Sequence, residues 1–156
     1  MYSRALPKSV KGRIEMAIKN YTTSISAAQT VGEIQGILTA HGAKSIMMNY
    51  DEKRQPCAIL FIAGTPLGDR VFRLPANIQA FQAVLQRQRV KCDQEHAARV
   101  AWRNIKDWIA AMMALLETEI VRFDEIFLPY MTTDKTGTTV YQLYENKQLP
   151  LLGDGQ

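Results

Sequence analysis

The chain has 156 residues, 47% of them hydrophobic and 22% charged, which suits one globular domain with a buried core. Its longest apolar run, residues 108–116, is about half of what a membrane-spanning helix needs, so we expect no membrane association. Two cysteines, Cys57 and Cys92, cannot build a disulfide framework, and reduced thiols in a cytoplasmic protein are predicted.

The net charge of +4 conceals an uneven distribution along the chain. Residues 1–110 contain sixteen Lys and Arg against eight Asp and Glu, whereas residues 111–156 contain three against seven. Such asymmetry is typical of a protein that binds a polyanion with one part of its surface. A solvated surface without a partner accounts for the same composition, so both interpretations stay open.

Three regions are predicted: a basic arm over residues 1–20, a single domain over residues 21–147 and a tail over residues 148–156. The arm has little apolar surface to bury, and either a short amphipathic helix or a flexible tail fits it. Residues 21–25 are rich in β-formers and predict a short edge strand. The arm's cations are Arg4, Lys8, Lys11, Arg13 and Lys19, with Glu15 opposing them.

The first predicted helix begins at a Thr30-x-x-Glu33 capping box and ends at Gly42. Three strands are predicted next, over residues 44–50, 57–63 and 70–74. Their short connections favour an antiparallel meander.

Pro75 ends the third strand and precedes a helix that should reach about Arg89. A long amphipathic helix is predicted over residues 93–118, a short turn of helix over residues 124–131, and a last helix behind the Thr139–Gln142 capping-type box. The predicted fold class is therefore α+β. A small antiparallel sheet of three to four strands has helices on one face, followed by the long helix and short C-terminal helices.

Basic residues gather on the second and third predicted helices and between them. Arg99, Arg103 and Lys106 follow i, i+4, i+7 spacing, which places them in one stripe. Nucleic-acid phosphates need such clustered cations more than any exact geometry. The same spacing also allows Arg99 and Arg103 to pair with Glu95 and Asp107 on a solvated face. The candidate phosphate-binding residues are Arg87, Arg89, Lys91, Arg99, Arg103 and Lys106.

The two tryptophans need separate interpretations. Six positions apart on a helix, Trp102 and Trp108 point about 120° away from each other and cannot stack on the same base. Trp108 is flanked by apolar residues and is predicted to be core. Trp102 lies between Arg99 and Arg103. It is a core residue or, alternatively, a stacking platform or partner anchor, and it joins the candidate nucleic-acid-binding residues in that role.

Catalytic signatures are missing from the sequence. It has no glycine-rich phosphate loop, paired-cysteine zinc pattern, nucleophile elbow or His-Glu-x-x-His motif. His41 and His96 have no second ligand at a recognised spacing. We therefore expect no enzymatic activity, no cofactor and no metal site. The small sheet is expected to leave part of the apolar surface at residues 110–116 uncovered, in which case the long helix would self-associate. A homodimer through that helix is therefore a further expectation.

Several segments together, TVGEIQGILTAHGAK, RVFRLPANI, AWRNIKDWIAAMMALLE and FLPYM, resemble a family of small bacteriophage and prophage proteins. The resemblance covers residues 21–145. It implies a location, the host cytoplasm, and no particular activity. Viral genomes carry small proteins for DNA replication and recombination, and others that disable host defences. The helix–three strands–helix order also resembles double-stranded-RNA-binding domains, but Pro75-Ala76-Asn77-Ile78 stands where that family has a lysine cluster.

Two functions follow as hypotheses. The first is a non-enzymatic phage-type accessory protein that binds nucleic acid, DNA rather than RNA, through the basic stripe and the arm. The second is an anti-defence protein that sequesters a nucleotide signal or blocks a host immune enzyme. A nucleotide trap would use Arg70, Arg73 or Arg103 for phosphates and a tyrosine or tryptophan for the base, whereas an enzyme blocker would use the acidic C-terminal half.

Overall fold

The computed structural model describes residues 17–149, so most of the predicted arm and residues 150–156 of the predicted tail lie outside the described part. In chain order the elements are α1 (Ala27–Ala40), β1 (Ala43–Tyr50), β2 (Pro56–Thr65), β3 (Gly68–Pro75), α2 (Ile78–Arg87), α3 (Gln94–Glu117), α4 (Phe123–Phe127), a 3-10 turn (Leu128–Tyr130) and α5 (Val140–Glu145). The predicted α+β class is confirmed, and so is the predicted order of the elements from α1 onward.

The three strands form an antiparallel sheet in the order β1-β2-β3, as the short connections predicted. Ile46 pairs with Phe61, and Phe61 pairs with Phe72, so these side chains share one face. The helices pack against that face. Met47, one residue along β1, points to the other face and is 58% exposed. Outside these strands, the described chain forms two isolated bridges, one between Phe72 and Met131 and one between Thr132 and Thr139.

Aromatic rings fill the core between the sheet and the C-terminal helices. Phe61 stacks on Phe72 with ring centroids 5.3 Å apart, and Phe127 meets Phe61 edge-on at 5.2 Å. All three rings are buried. Burying each such side chain contributes about 1.5–3 kcal/mol relative to leaving it in water, so this cluster fixes the C-terminal segment to the sheet.

Helix α1 begins one turn earlier than predicted. Ser26, and not Thr30, is the N-cap, and its hydroxyl accepts a hydrogen bond from the amide of Gln29 at 3.1 Å. Thr30 lies inside the helix and is fully buried. The predicted capping box is therefore wrong, because a serine one turn upstream, followed by two good helix formers, extends the helix. Gly42 follows the helix with φ +112°, as its predicted role requires.

Residues 21–25 do not form the predicted edge strand. The segment before α1 instead runs along α3, which supplies its polar partners. Nε2 of His96 donates to the carbonyl oxygen of Tyr21 at 2.6 Å, and Nδ2 of Asn104 donates to that of Lys19 at 2.8 Å. Backbone carbonyl oxygens of this segment thus accept hydrogen bonds from side chains of a neighbouring helix, and not from a neighbouring strand as predicted.

Helix α3 matches its predicted bounds to one residue at each end. Asp93 caps it by accepting from the amide of His96 at 2.7 Å, and Thr118 ends it. The capping box at Thr139 and Gln142 is also confirmed at the start of α5. None of the helices within residues 17–149 is long and apolar enough to cross a membrane.

Candidate nucleic-acid interface

The three predicted phosphate-binding residues of α3 each have an acidic neighbour. Nη1 of Arg103 lies 2.7 Å from Oε2 of Glu33 on α1, and Nζ of Lys106 lies 4.0 Å from the same oxygen. Nη1 of Arg99 lies 3.5 Å from Oε1 of Glu95. The side chains of Arg103 and Lys106 are only 17% and 23% exposed. The arrangement corresponds to the second interpretation of the stripe, in which neighbouring acids neutralise it.

Glu33, which sequence reasoning assigned to a capping box, is the centre of this ion-pair group. The hydrogen bond from Arg103 holds the pKa of Glu33 below its usual value. Glu33 is therefore ionised at neutral pH and competes with any phosphate for Arg103 and Lys106.

Trp102 is a core residue. Its side chain is fully buried, and Nε1 donates to the carbonyl oxygen of Pro56 at 2.8 Å. The role of stacking platform is therefore wrong, because no base can reach the ring. Trp108 is only half-buried, against the prediction, and packs edge-on against Phe127 and Tyr130 at centroid distances of 5.7 and 5.9 Å.

The remaining predicted cations, Arg87, Arg89 and Lys91, form what we call the connection patch. They lie at the end of α2 and in the link to α3, and all three are exposed. None of them forms an ion pair with another residue of the described chain. Arg89 has φ +60° and ends the helix, while the amide of Val90 donates back to the carbonyl oxygen of Leu85 at 2.9 Å. A cation is favourable here because the helix C-terminus carries partial negative charge.

The connection patch is also where the N-terminal segment reaches the domain. The amide of Ile18 donates to Oε1 of Gln88 at 2.8 Å, between Arg87 and Arg89 in sequence. Just behind it, Asp107 accepts from Nδ2 of Asn20 at 2.9 Å and pairs with Nζ of Lys19 at 3.0 Å. Burial alone would raise the pKa of Asp107, but these two partners lower it below its usual value, so the anchor is ionised.

The turn between β1 and β2 contains two further cations, and one of them, Lys53, reaches the start of α3. Nζ of Lys53 donates to Oε1 of Gln94 at 2.7 Å, at the start of α3. Gln94 follows Lys91 by three residues, so their Cα atoms are at most about 10 Å apart. Arg54, next in the turn, is exposed and has φ +62°.

Three of the acids at this end of the molecule have polar partners, while Glu52, in the same turn as Lys53, is exposed. Oδ1 of Asp51 accepts from the amides of Lys53 and Gln55, both at 2.9 Å. Asp93 caps α3, and Glu95 pairs with Arg99. Sequence reasoning missed Lys53 and Arg54, although two adjacent cations in a predicted turn were a usable signal.

The structure does not bring together the alternative phosphate set of Arg70, Arg73 and Arg103. Arg70 and Arg73 are three residues apart on β3, so they point to opposite faces of the sheet, while Arg103 is held at α1 by Glu33. Arg70 is exposed, and its guanidinium donates to the carbonyl oxygen of Asp69 at 3.5 Å. Arg73 lines a cavity of its own.

The C-terminal end of α3 leaves some apolar surface uncovered. Leu115 is 40% exposed and Ile120, just beyond the helix, is 72% exposed. The homodimer expected through this helix stays a prediction.

Comparisons of this chain with protein-family models, curated proteins and solved structures returned no match. The resemblance to phage and prophage proteins therefore stays a prediction.

Proposed function

We propose that this protein is a non-enzymatic, phage-type accessory protein that binds nucleic acid through the connection patch, the β1–β2 turn and the basic arm. The observation that carries the proposal is the hydrogen bond from the amide of Ile18 to Gln88. It anchors the base of a cationic segment beside three exposed cations that have no acidic partner in the described chain.

The sequence that precedes the Ile18 anchor is cationic. Residues 1–16 carry Arg4, Lys8, Lys11 and Arg13 against Glu15, and they continue from Ala17, next to the Ile18 anchor. Lys19 is engaged by Asp107, so the arm's share of the interface lies before it. Under the proposal, these cations contact the same polyanion as the connection patch.

The distances within this region suit a phosphate backbone. Gln88 and Lys91 are three residues apart, as are Lys91 and Gln94, so the Cα atoms within each pair are at most about 10 Å apart. Nζ of Lys53 lies 2.7 Å from Oε1 of Gln94. Cations gathered in this way can neutralise neighbouring phosphates of one polyanion. Each phosphate that they neutralise releases condensed counterions, which drives binding without any base contact.

The proposal replaces the helical stripe with a different set of cations. Arg103 and Lys106 already interact with Glu33, and a phosphate would have to displace that carboxylate. Arg87 and Arg89 need no such exchange. They are therefore the residues expected to contact phosphates first.

The experiment measures the affinity for a short fluorescently labelled DNA duplex by anisotropy, with an RNA duplex alongside. The test variant is Arg87→Gln with Arg89→Gln. The matched control is Lys135→Gln with Lys147→Gln, which removes the same charge from exposed positions and likewise includes one residue with positive φ, Lys147 at +56°. Loss of two phosphate contacts should weaken binding about tenfold or more in the test variant alone. Equal affinities of both variants for DNA would reject the patch.

A further inference from the structure

A second site lies at the outer edge of the sheet, away from the connection patch. A cavity of about 660 Å³ opens between the end of β3, the start of α2, the 3-10 turn and α5. This volume lies within the range of pockets that hold small molecules, about 300–1,000 Å³. Its lining combines apolar and aromatic residues with a few polar ones, among them Arg73, Tyr130, Tyr141 and Glu145.

Glu145 contributes a carboxylate oxygen without a partner. Its Oε2 atom is buried and forms no hydrogen bond within the described chain, so turning the side chain to bring this oxygen into the cavity breaks no hydrogen bond. An unsatisfied buried acceptor is costly, and native structures contain few of them. Glu145 belongs to α5, whose start is held in place by the Thr139 and Gln142 capping box, so the position of the acid is set by the fold.

Arg73 supplies the opposite charge in the same cavity. It is half-buried, and its guanidinium forms no hydrogen bond or ion pair with the residues that the structure describes. Arg73 and Glu145 line one pocket without pairing with each other, since no oxygen of Glu145 lies within 4.0 Å of the guanidinium. A ligand that fits must therefore offer an anionic group at one end and hydrogen-bond donors at the other.

We propose that this cavity binds a guanine nucleotide, with Arg73 on the phosphate and Glu145 on the base. Guanine presents two adjacent N–H donors, N1 and N2, to an acceptor-only carboxylate. Adenine presents the acceptor N1 at the equivalent place, which a carboxylate repels. Tyr130 and Tyr141 supply flat amphipathic surface for the purine ring.

In the binding experiment, the full chain is titrated with GMP, AMP and inorganic phosphate. Calorimetry measures the affinity for each of the three. Tyr130 packs edge-on against Trp108 at 5.9 Å, so tryptophan fluorescence gives a second readout. The proposal predicts saturable binding of GMP, with AMP and phosphate each weaker by about tenfold or more. Absence of GMP binding, or equal affinities for GMP and AMP, would overturn it.

Two variants test the assigned contacts. Arg73→Gln and Glu145→Gln should each weaken GMP binding about tenfold or more, because each removes a charge-assisted hydrogen bond. Glu145→Gln should also narrow the preference for GMP over AMP. Arg70→Gln, on the same strand but the opposite face, and Glu52→Gln, an exposed acid, are the matched controls.

The site does not depend on the proposed nucleic-acid function. Arg73→Gln and Glu145→Gln should leave the affinity for duplex DNA unchanged, while the Arg87 and Arg89 substitutions should leave GMP binding unchanged. A GMP affinity that responds to the patch substitutions and not to Arg73→Gln would place the nucleotide at the patch and reject the cavity. Thermal denaturation of each variant identifies any loss of binding that reflects unfolding.

Discussion

Arg103 and Glu33 join α3 to α1 through a hydrogen-bonded ion pair of 2.7 Å, with Nη1 as donor and Oε2 as acceptor. The same guanidinium nitrogen lies 3.5 Å from Oγ1 of Thr30, which is fully buried. A residue that sequence spacing assigned to ligand binding thus stabilises the contact between two helices.

Glu33 should therefore affect stability more than binding. Its pKa is lowered, so the stabilising contribution of the ionised form is present above the unfolded value, about 4.3. It is lost as the pH falls through the folded value. We expect Glu33→Gln to lower the melting temperature at pH 7, and the difference from the parent protein to vanish in acid. A difference that grows in acid would contradict this assignment.

Trp102 offers a test of the core assignment. Trp102→Phe removes the donor to the carbonyl of Pro56 and leaves that acceptor unsatisfied, which should lower the free energy of unfolding by about 1–3 kcal/mol. Urea denaturation measures the loss. Affinity for duplex DNA should not change, because the ring is out of reach of any base. Weaker DNA binding by a folded Trp102→Phe protein would restore the stacking hypothesis.

His41 links the ends of α1 and α3 and should make stability depend on pH. Nδ1 lies 2.8 Å from the carbonyl oxygen of Ile37 and Nε2 lies 3.0 Å from Oε1 of Glu117. The bond to Ile37 and then that to Glu117 raise the pKa of His41, because both partners accept from the protonated ring. The contribution is therefore complete below the unfolded value, about 6.5, and is lost as the pH rises through the folded one.

Urea denaturation of the parent protein and His41→Gln at pH 5.5 and pH 8.5 tests this sign. The parent protein should be the more stable of the two at the lower pH, and its advantage should shrink at the higher pH. An advantage that increases with pH would mean that the neutral ring is the stabilising form.

The arm should contribute to affinity in proportion to its charge. Replacement of Arg4, Lys8, Lys11 and Arg13 by Gln should weaken DNA binding and reduce its salt dependence, because fewer counterions are released. Stability should not change, since the anchor at Ile18 and Gln88 is untouched. Unchanged binding would confine the interface to the folded domain. A melting temperature below that of the parent protein would show that these cations act in folding.

Local patterns predicted the elements well where one signal dominated. The meander followed from three apolar runs with short turns between them, and α3 from its long apolar period. Thr30 was misassigned because Ser26, one turn earlier, supplied the cap. Residues 21–25 were misassigned because α3, 75 residues away in sequence at the contact of His96 with Tyr21, supplied partners for their backbone.

The candidate sites were less predictable because they depend on tertiary pairing. Spacing showed that Arg103 shares a stripe with Lys106, but only the packing of α1 on α3 shows that Glu33 neutralises it. The relation of Ile18 to Gln88 spans 70 residues, and no local pattern encodes it. The cavity lined by Arg73 and Glu145 is built from segments far apart in sequence, so no local pattern predicts it either.

The slope of log Kd against log salt concentration for duplex DNA tests the central claim most directly. It is measured for the parent protein, for Arg87→Gln with Arg89→Gln, and for Lys135→Gln with Lys147→Gln. Each lost phosphate contact reduces the slope by about 0.9, so the patch variant should be shallower by about two, and the control should match the parent protein. Equal slopes in all three proteins would contradict the account.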